Sequence, residues 1–169
     1  TDAVVEPAFL KEALSQAAQD SFNMIDVDGD QSTNDTVVIL ANGASGTPQI
    51  KDGSGGSDSF VEALTYVCTE LAKELAGDGE GAQRLIEVTV EGALTVSEAR
   101  TSAREIASSL LVKAMVHGRD PNWGRLVMAL GKSGISLDES KLDIFISDIH
   151  IVHEGIAIPY YRDAVVSAM

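Results

Sequence analysis

The turn at residues 77–81 carries an acidic side chain on glycine-rich, unhindered backbone. Its sequence is Gly-Asp-Gly-Glu-Gly, which places Glu80 between two glycines. A carboxylate in such a loop can pair with the ammonium group of a small substrate. The structural alternative is a helix-ending loop with a solvated carboxylate. Because the turn follows a helix pattern and precedes a strand pattern, it is not a dinucleotide-binding fingerprint.

The segment 117–125 is the densest group of chemically active side chains. It contains the only Trp, two arginines, an aspartate and an asparagine between two helix patterns. One interpretation is a structural junction with Trp123 packed beneath it. The other is a carboxylate subsite built from Arg119 or Arg125. The residues leave open the individual roles of five members: Arg119, Asp120, Asn122, Trp123 and Arg125.

The aspartate-rich segment that begins at Asp26 is similar to the start of a calcium-binding loop. An EF-hand loop needs Gly at its sixth position and Glu at its twelfth, and these positions hold Gln31 and Val37. The pattern therefore favours a turn-rich segment whose Asp, Asn and Ser side chains bond to nearby backbone.

The other candidate ligands do not form a metal-binding pattern. His150 and His153 lie three residues apart in a strand pattern, which predicts opposite faces of the strand and disfavours a shared metal. Cys68, the only cysteine, lies on the apolar side of a predicted helix, as a small core residue would. One cysteine also excludes an internal disulfide and a multi-cysteine zinc site. We therefore predict no metal site.

Thr1 has a chemical interpretation of its own. An N-terminal threonine can act as a nucleophile with its own α-amine as the base. The alternative is that the chain simply starts at this residue.

Helix and strand patterns alternate along the chain. Helices are predicted by apolar spacing of three and four residues, and strands by β-branched runs or period-two alternation. The helix patterns are 7–17, 58–76, 96–115, 122–131 and 163–169, and the strand patterns are 36–40, 86–90 and 142–152. A Thr95-x-x-Glu98 capping box precedes the third helix. The alternation indicates an α/β or α+β protein, and we predict one domain over residues 1–169.

The composition excludes several functional classes. The 169 residues carry 12 basic and 26 acidic side chains, for a formal net charge of −14. Such a charge disfavours binding to nucleic acid or to anionic membrane surfaces. There is no apolar run long enough to span a bilayer, and a single thiol fits a reducing compartment. We therefore expect a cytoplasmic protein without nucleic-acid or membrane partners.

Four segments taken together resemble the β chain of the ArgJ family. The family comprises ornithine acetyltransferases, or bifunctional glutamate N-acetyltransferases, of arginine biosynthesis. The segments are Phe22–Leu40 with its Ser-Thr-Asn-Asp-Thr string, Ala41-Asn42-Gly43, Gly79-Glu80-Gly81-Ala82, and Val116–Arg125 with Gly-Arg-Asp-Pro-Asn-Trp-Gly-Arg. The resemblance runs over nearly the whole chain.

The resemblance implies a fold and a reaction. The fold is α/β, with mixed sheets sandwiched by helices, of the self-cleaving N-terminal-threonine acyltransferase type. A precursor cleaves itself before a threonine, which takes an acetyl group from N2-acetylornithine and passes it to glutamate. The resemblance implies no cofactor and no metal, although some members use acetyl-CoA as a co-substrate. An α chain from the same precursor completes the fold, and an (αβ)2 heterotetramer is implied.

The resemblance also assigns residues. In the family a Thr-Met-Leu segment precedes a Thr-Asp-Ala string like the one that begins at Thr1. The nucleophile is therefore expected shortly upstream of Thr1, with no catalytic residue in this chain and with further family sequence after Met169. Glu80 carries over as the substrate-binding residue, and its carboxylate would pair with the α-ammonium of ornithine or glutamate. The alternative is an inactive fragment or a non-catalytic binding subunit that uses the acidic loops 26–35 and 77–81.

Overall fold

The structure, a computed structural model, describes all residues from Thr1 to Met169. They form two compact units, residues 1–81 and residues 82–169. The single domain over residues 1–169 stays a prediction. No helix in either unit has both the length and the apolar character that a membrane span requires.

The first unit is built on two packed helices, α1 (Pro7–Asp20) and α2 (Ser57–Gly77). Pro7 lies in the first turn of α1, where its missing N–H costs no helical hydrogen bond. The rings of Phe9 and Phe60 meet with centroids 6.2 Å apart. Both helices were predicted, because their apolar residues recur at helical spacing.

Mostly small side chains are buried on these two helices. The buried residues are Phe9, Ala13 and Ala17 on α1 and Ser57, Cys68 and Ala72 on α2. Cys68 is 3% exposed, which confirms its prediction as a core residue. Burial raises the pKa of the Cys68 thiol, because the charged thiolate is poorly solvated there. The thiol is therefore a packing group.

The β-branched run 36–40 forms no strand in this chain, so that prediction is wrong. Val38 and Leu40 are exposed, and a strand requires a neighbouring backbone to complete its ladder. The strand prediction for 86–90 fails in the same way. A single parallel bridge in the first unit instead joins Val5 to Ile50.

The second unit combines four helices with a small sheet. The helices are α3 (Val96–Ser108), α4 (Leu110–His117), α5 (Trp123–Lys132) and α6 (Arg162–Ala168). One core cluster consists of Ile106, Val112, Met115, Ala129 and Leu130. These residues come from α3, α4 and α5, so this core lies where the three helices pack.

The single helix predicted over 96–115 is interrupted at Ser109. This residue has an extended ψ of 116°, and its hydroxyl oxygen accepts a hydrogen bond from the Val112 N–H at 3.4 Å. A serine side chain that caps a new helix competes with continuation of the preceding one. The correction is therefore two helices, α3 and α4, in place of one.

The strand predicted over 142–152 is a hairpin in the structure. The strands β1 (Ile144–Ile146), β2 (Ile149–His153) and β3 (Ile156–Ala157) form an antiparallel sheet in the order β1-β2-β3. Ile151 and Val152 are fully buried against Val165 of α6. The sheet therefore presents one side to a second core cluster of this unit.

Thr95 caps the N-terminus of α3, where the sequence predicts a capping box. The Thr95 hydroxyl oxygen accepts a hydrogen bond from the Glu98 N–H at 3.1 Å, as the Thr-x-x-Glu pattern predicts. We expect Thr95→Ala to lower the free energy of unfolding by about 1 kcal/mol, because an N-terminal N–H loses its partner. Urea denaturation measures this loss.

The matched control for this prediction is Thr101→Ala, which lies within the same helix. The Thr101 hydroxyl bonds back to the Ser97 carbonyl inside α3 and caps nothing. Alanine has the higher helix propensity, so this substitution should be neutral or slightly stabilising. Equal losses at the two positions would contradict the capping role of Thr95.

Candidate functional site

The turn that holds Glu80 follows directly from the end of α2. The Asp78 N–H donates to the Glu74 carbonyl at 3.0 Å and closes the helix. Gly81 has a φ of +72°, in the left-handed region that favours glycine. The Glu80 side chain is exposed, as the glycine-rich sequence predicts. The turn can therefore present a carboxylate to a ligand.

This turn lies against the aspartate-rich segment of the same unit. A Cβ atom added at Gly79 would be only 3.1 Å from Val27 Cγ1, so glycine permits a close approach. The contact brings together the two acidic loops that the sequence places about fifty residues apart. Their six carboxylates are those of Asp26, Asp28, Asp30, Asp35, Asp78 and Glu80. We call residues 26–35 and 77–81 the acidic surface.

The acidic surface has a one-sided charge. Residues 26–35 and 77–81 themselves contain six carboxylates and no lysine or arginine. A cluster of exposed carboxylates attracts cations. Salt screens this attraction at distances beyond about 10 Å. The surface is therefore suited to a ligand with an ammonium group.

Segment 26–36 is held by short-range hydrogen bonds, as predicted. The Asp30 N–H donates to Asp28 Oδ1 at 2.9 Å, and the Asp35 N–H donates to Ser32 Oγ at 3.1 Å. These are the side-chain-to-backbone bonds of Asx and Ser turns. They confirm the predicted turn-rich segment.

The segment 117–125 is a structural junction for most of its members. Trp123 packs against the buried cluster of Ile151, Val152 and Val165. Arg125 Nη1 donates to the Leu111 carbonyl at 3.2 Å, and Arg162 lies 3.5 Å from Asp120. Arg119 is exposed at a φ of +49°, a left-handed conformation that is costly for a residue with a Cβ. The carboxylate-binding interpretation stays a prediction for both arginines.

The structure brings His150 and His153 together, contrary to the prediction of opposite faces. Asp143 Oδ1 lies 3.1 Å from His150 Nε2 and 2.9 Å from His153 Nδ1. The register shows why: Phe145 pairs with His150 but Ile144 pairs with Val152, so Ile151 is an extra residue in β2. Such a β-bulge reverses the alternation of faces beyond it.

The contact between Asp143 and His153 shifts the pKa of both groups. The hydrogen bond with Asp143 raises the pKa of His153 above its usual value. The hydrogen bonds from His153 and from the Glu154 N–H lower the pKa of the Asp143 carboxyl. In both cases the charged form is the one that the contact favours.

We expect the Asp143–His153 pair to stabilise the fold over a defined pH range. Its contribution is complete between about pH 3.9 and about pH 6.5, the ordinary pKa values of Asp and His. It is lost as the pH rises through the raised folded-state pKa of His153, or falls through the lowered pKa of Asp143. NMR titration should show that Asp143→Asn lowers the pKa of His153. An unchanged value would contradict the pairing.

Thr1 is hydrogen-bonded to backbone of the first unit. Its backbone nitrogen donates to the Leu40 carbonyl at 2.9 Å, and its hydroxyl oxygen accepts from the Ala3 N–H at 3.2 Å. The position of the nucleophile upstream of Thr1 stays a prediction, as does the substrate-binding role of Glu80.

Comparisons with known proteins agree over the whole chain. A family model described as "ArgJ family" matches residues 1–169. A protein of Symbiobacterium thermophilum named "Arginine biosynthesis bifunctional protein ArgJ" is 52% identical over 92% of this chain and 39% of its own length. A protein of the same name from Thermosynechococcus vestitus is 49% identical over 94% of this chain and 38% of its length. The chain therefore spans about two fifths of these curated relatives.

A solved structure shares the fold. The crystal structure of "Arginine biosynthesis bifunctional protein argJ" from Bacillus halodurans matches with a TM-score of 0.95 at 38% identity. The match covers 98% of this chain and 78% of that chain. It confirms the predicted α/β fold class.

Proposed function

The chain belongs to the ArgJ family, and from that premise we propose that it is most of the β subunit of an acetyltransferase in arginine biosynthesis. The enzyme moves an acetyl group from N2-acetylornithine to the amine of glutamate. The observation that carries the proposal is the similarity over the whole chain, both in sequence and in fold.

The chemistry proceeds through a threonine ester. The hydroxyl oxygen of a threonine upstream of Thr1 attacks the acetamide carbonyl, the C–N bond breaks, and ornithine leaves with the proton on its amine. Glutamate binds as its ammonium form and gives one proton to the α-amine of that threonine. The neutral glutamate amine then attacks the ester, the C–O bond breaks, and the threonine oxygen takes up a proton, which regenerates the hydroxyl. Backbone donors stabilise the oxyanion in both steps. Metal ions have no part in this scheme.

Glu80 binds the amino-acid substrates in this proposal. Support comes from its exposed carboxylate on a glycine-rich turn and from the negative charge of the acidic surface around it. The α-ammonium of free ornithine or glutamate is the matching group, and a charge-assisted hydrogen bond would join the two. The acetylated amine of N2-acetylornithine carries no charge, so the contact forms fully only with the free amine.

The proposal includes partners and a location. An α chain from the same precursor completes the active site, and two αβ pairs form a heterotetramer in the cytoplasm. Support for a missing partner comes from apolar residues that this chain leaves exposed, among them Leu40 at 77%, Tyr66 at 66% and Leu94 at 83%. Acetyl-CoA is an optional second donor.

A non-catalytic binding subunit is the second candidate. The observation in its favour is the close approach of the two acidic loops at Gly79 and Val27. This candidate predicts retention of cationic ligands without acetyl transfer.

The deciding experiment uses the full protein expressed from its complete gene. Purified enzyme is mixed with N2-acetylornithine and glutamate, and N-acetylglutamate is measured with time. With the donor alone, intact-mass spectrometry should show a β chain that is heavier by one acetyl group, and added glutamate should remove it. A separate reaction with acetyl-CoA tests the second donor. If no acetyl group were transferred from either donor, the acetyltransferase proposal would be wrong and the binding subunit would be favoured.

A further inference from the structure

We propose that Asp143, His150 and His153 form a binding site for a divalent transition metal ion of the Zn²⁺ class. This inference does not depend on the acetyltransferase proposal. It rests on side chains of the second unit that the sequence pattern keeps apart and the β2 bulge brings together.

The three side chains offer the right donor atoms. They are His150 Nε2, His153 Nδ1 and a carboxylate oxygen of Asp143, and all lie within 4.8 Å of one another. Imidazole nitrogen and carboxylate oxygen are the ligands that Zn²⁺ takes in sites that keep an open position. Two histidines and one carboxylate also suit other divalent transition metals.

Two of the three donor separations are close to those around a bound metal, and the third is within 4.8 Å. Ligands of a tetrahedral ion with bonds of about 2.0–2.1 Å lie about 3.3 Å apart. Asp143 Oδ1 is already 3.1 Å from His150 Nε2 and 2.9 Å from His153 Nδ1. Small rotations of the three side chains would let them surround an ion and replace the hydrogen bonds by metal bonds.

Neighbouring groups hold the ligands in place. The Glu154 N–H donates to Asp143 Oδ1 at 3.1 Å, which fixes the carboxylate from behind. The Phe145 ring stacks on the His150 ring, with centroids 4.2 Å apart and planes inclined by 14°. Such outer contacts orient metal ligands and commonly matter for affinity. The site is therefore partly preorganised before an ion arrives.

The exposure of the cluster defines what the ion would do. The side chains are partly exposed, at 43% for Asp143, 31% for His150 and 55% for His153. An ion would reach them directly from solvent and would keep at least one water ligand. It would join Asp143, which precedes β1, to both histidines of β2. Its effect would be to clamp the β1–β2 hairpin.

The test is calorimetric titration of Zn²⁺ into tag-free, chelator-treated full-length protein. We expect binding that His150→Ala and His153→Ala each weaken at least about tenfold. His117→Ala is the matched histidine control, and Asp148→Asn in the same hairpin is the control for Asp143→Asn. Both controls should bind Zn²⁺ as the unsubstituted protein does. Zn²⁺ should also raise the unfolding temperature, and Asp143→Asn should remove that rise.

A second measurement needs no substitution and covers variants that fail to fold. In NMR spectra, Zn²⁺ should shift the ring signals of His150 and His153 and leave that of His117 in place. The proposal is overturned if the two ring signals do not move, or if both folded histidine variants bind Zn²⁺ unchanged. It is overturned as well if His117→Ala weakens binding equally.

Discussion

Replacement of Glu80 by Gln is expected to lower kcat/KM for glutamate by about 10- to 100-fold in the full enzyme. The substitution keeps the size of the side chain but removes the charge that the proposed ammonium contact requires. Because that contact binds the ground state and the transition state alike, the loss should appear mainly in KM. Steady-state kinetics at several glutamate concentrations measure it.

Glu70→Gln is the matched control for this substitution. Glu70 is an exposed glutamate of α2 outside the acidic surface, and its replacement removes the same unit of charge. Unchanged kinetics in Glu70→Gln would exclude a general effect of net charge. If Glu80→Gln left KM for both amino-acid substrates unchanged, the assignment of Glu80 would be wrong while the acetyltransferase proposal would stand.

Replacement of Gly155 by Ala is expected to lower the free energy of unfolding by about 2–4 kcal/mol. Gly155 has a φ of +75°, and a Cβ atom there would overlap the Glu139 carbonyl oxygen. Its own N–H donates to the Leu142 carbonyl at 2.8 Å, so the turn cannot shift without losing that bond. Urea denaturation should show a lower midpoint at an unchanged slope.

Gly134→Ala separates the two causes of this loss. Gly134 has the same φ of +75°, but no heavy atom lies within 4 Å of an added Cβ. Only the backbone strain remains, which amounts to about 1–2 kcal/mol. If Gly155→Ala and Gly134→Ala lowered the free energy of unfolding equally, the overlap with the Glu139 carbonyl would contribute nothing to the loss.

Local sequence signals were sufficient for much of the fold. The apolar spacing predicted the ends of α1 and α2 within three residues, Thr95 capped α3 as its pattern required, and Cys68 was buried. The Asp and Ser turns of segment 26–36 also formed as predicted. Each of these features depends on neighbours within a few positions of the chain, which the sequence displays directly.

The same signals failed where a partner strand or a turn decides the outcome. Residues 36–40 have strand propensity but form no strand ladder in this chain. The strand predicted over 142–152 folds back on itself at Ser147 and Asp148, the two residues between β1 and β2, where Ser147 has a φ of +51°. A two-residue hairpin turn with a positive φ at its first position prefers glycine there, so the Ser-Asp pair gave a weak signal.

The sequence by itself determined the family and the amphipathic helices, since both are carried by residue identity and short-range spacing. It also identified Glu80 as the candidate substrate ligand. Only the tertiary structure decided that the acidic loops meet at Gly79 and that His150 and His153 share Asp143. The physical reason is that both depend on contacts between distant segments and on one inserted residue in β2, which reverses the side-chain alternation without changing the composition of the strand.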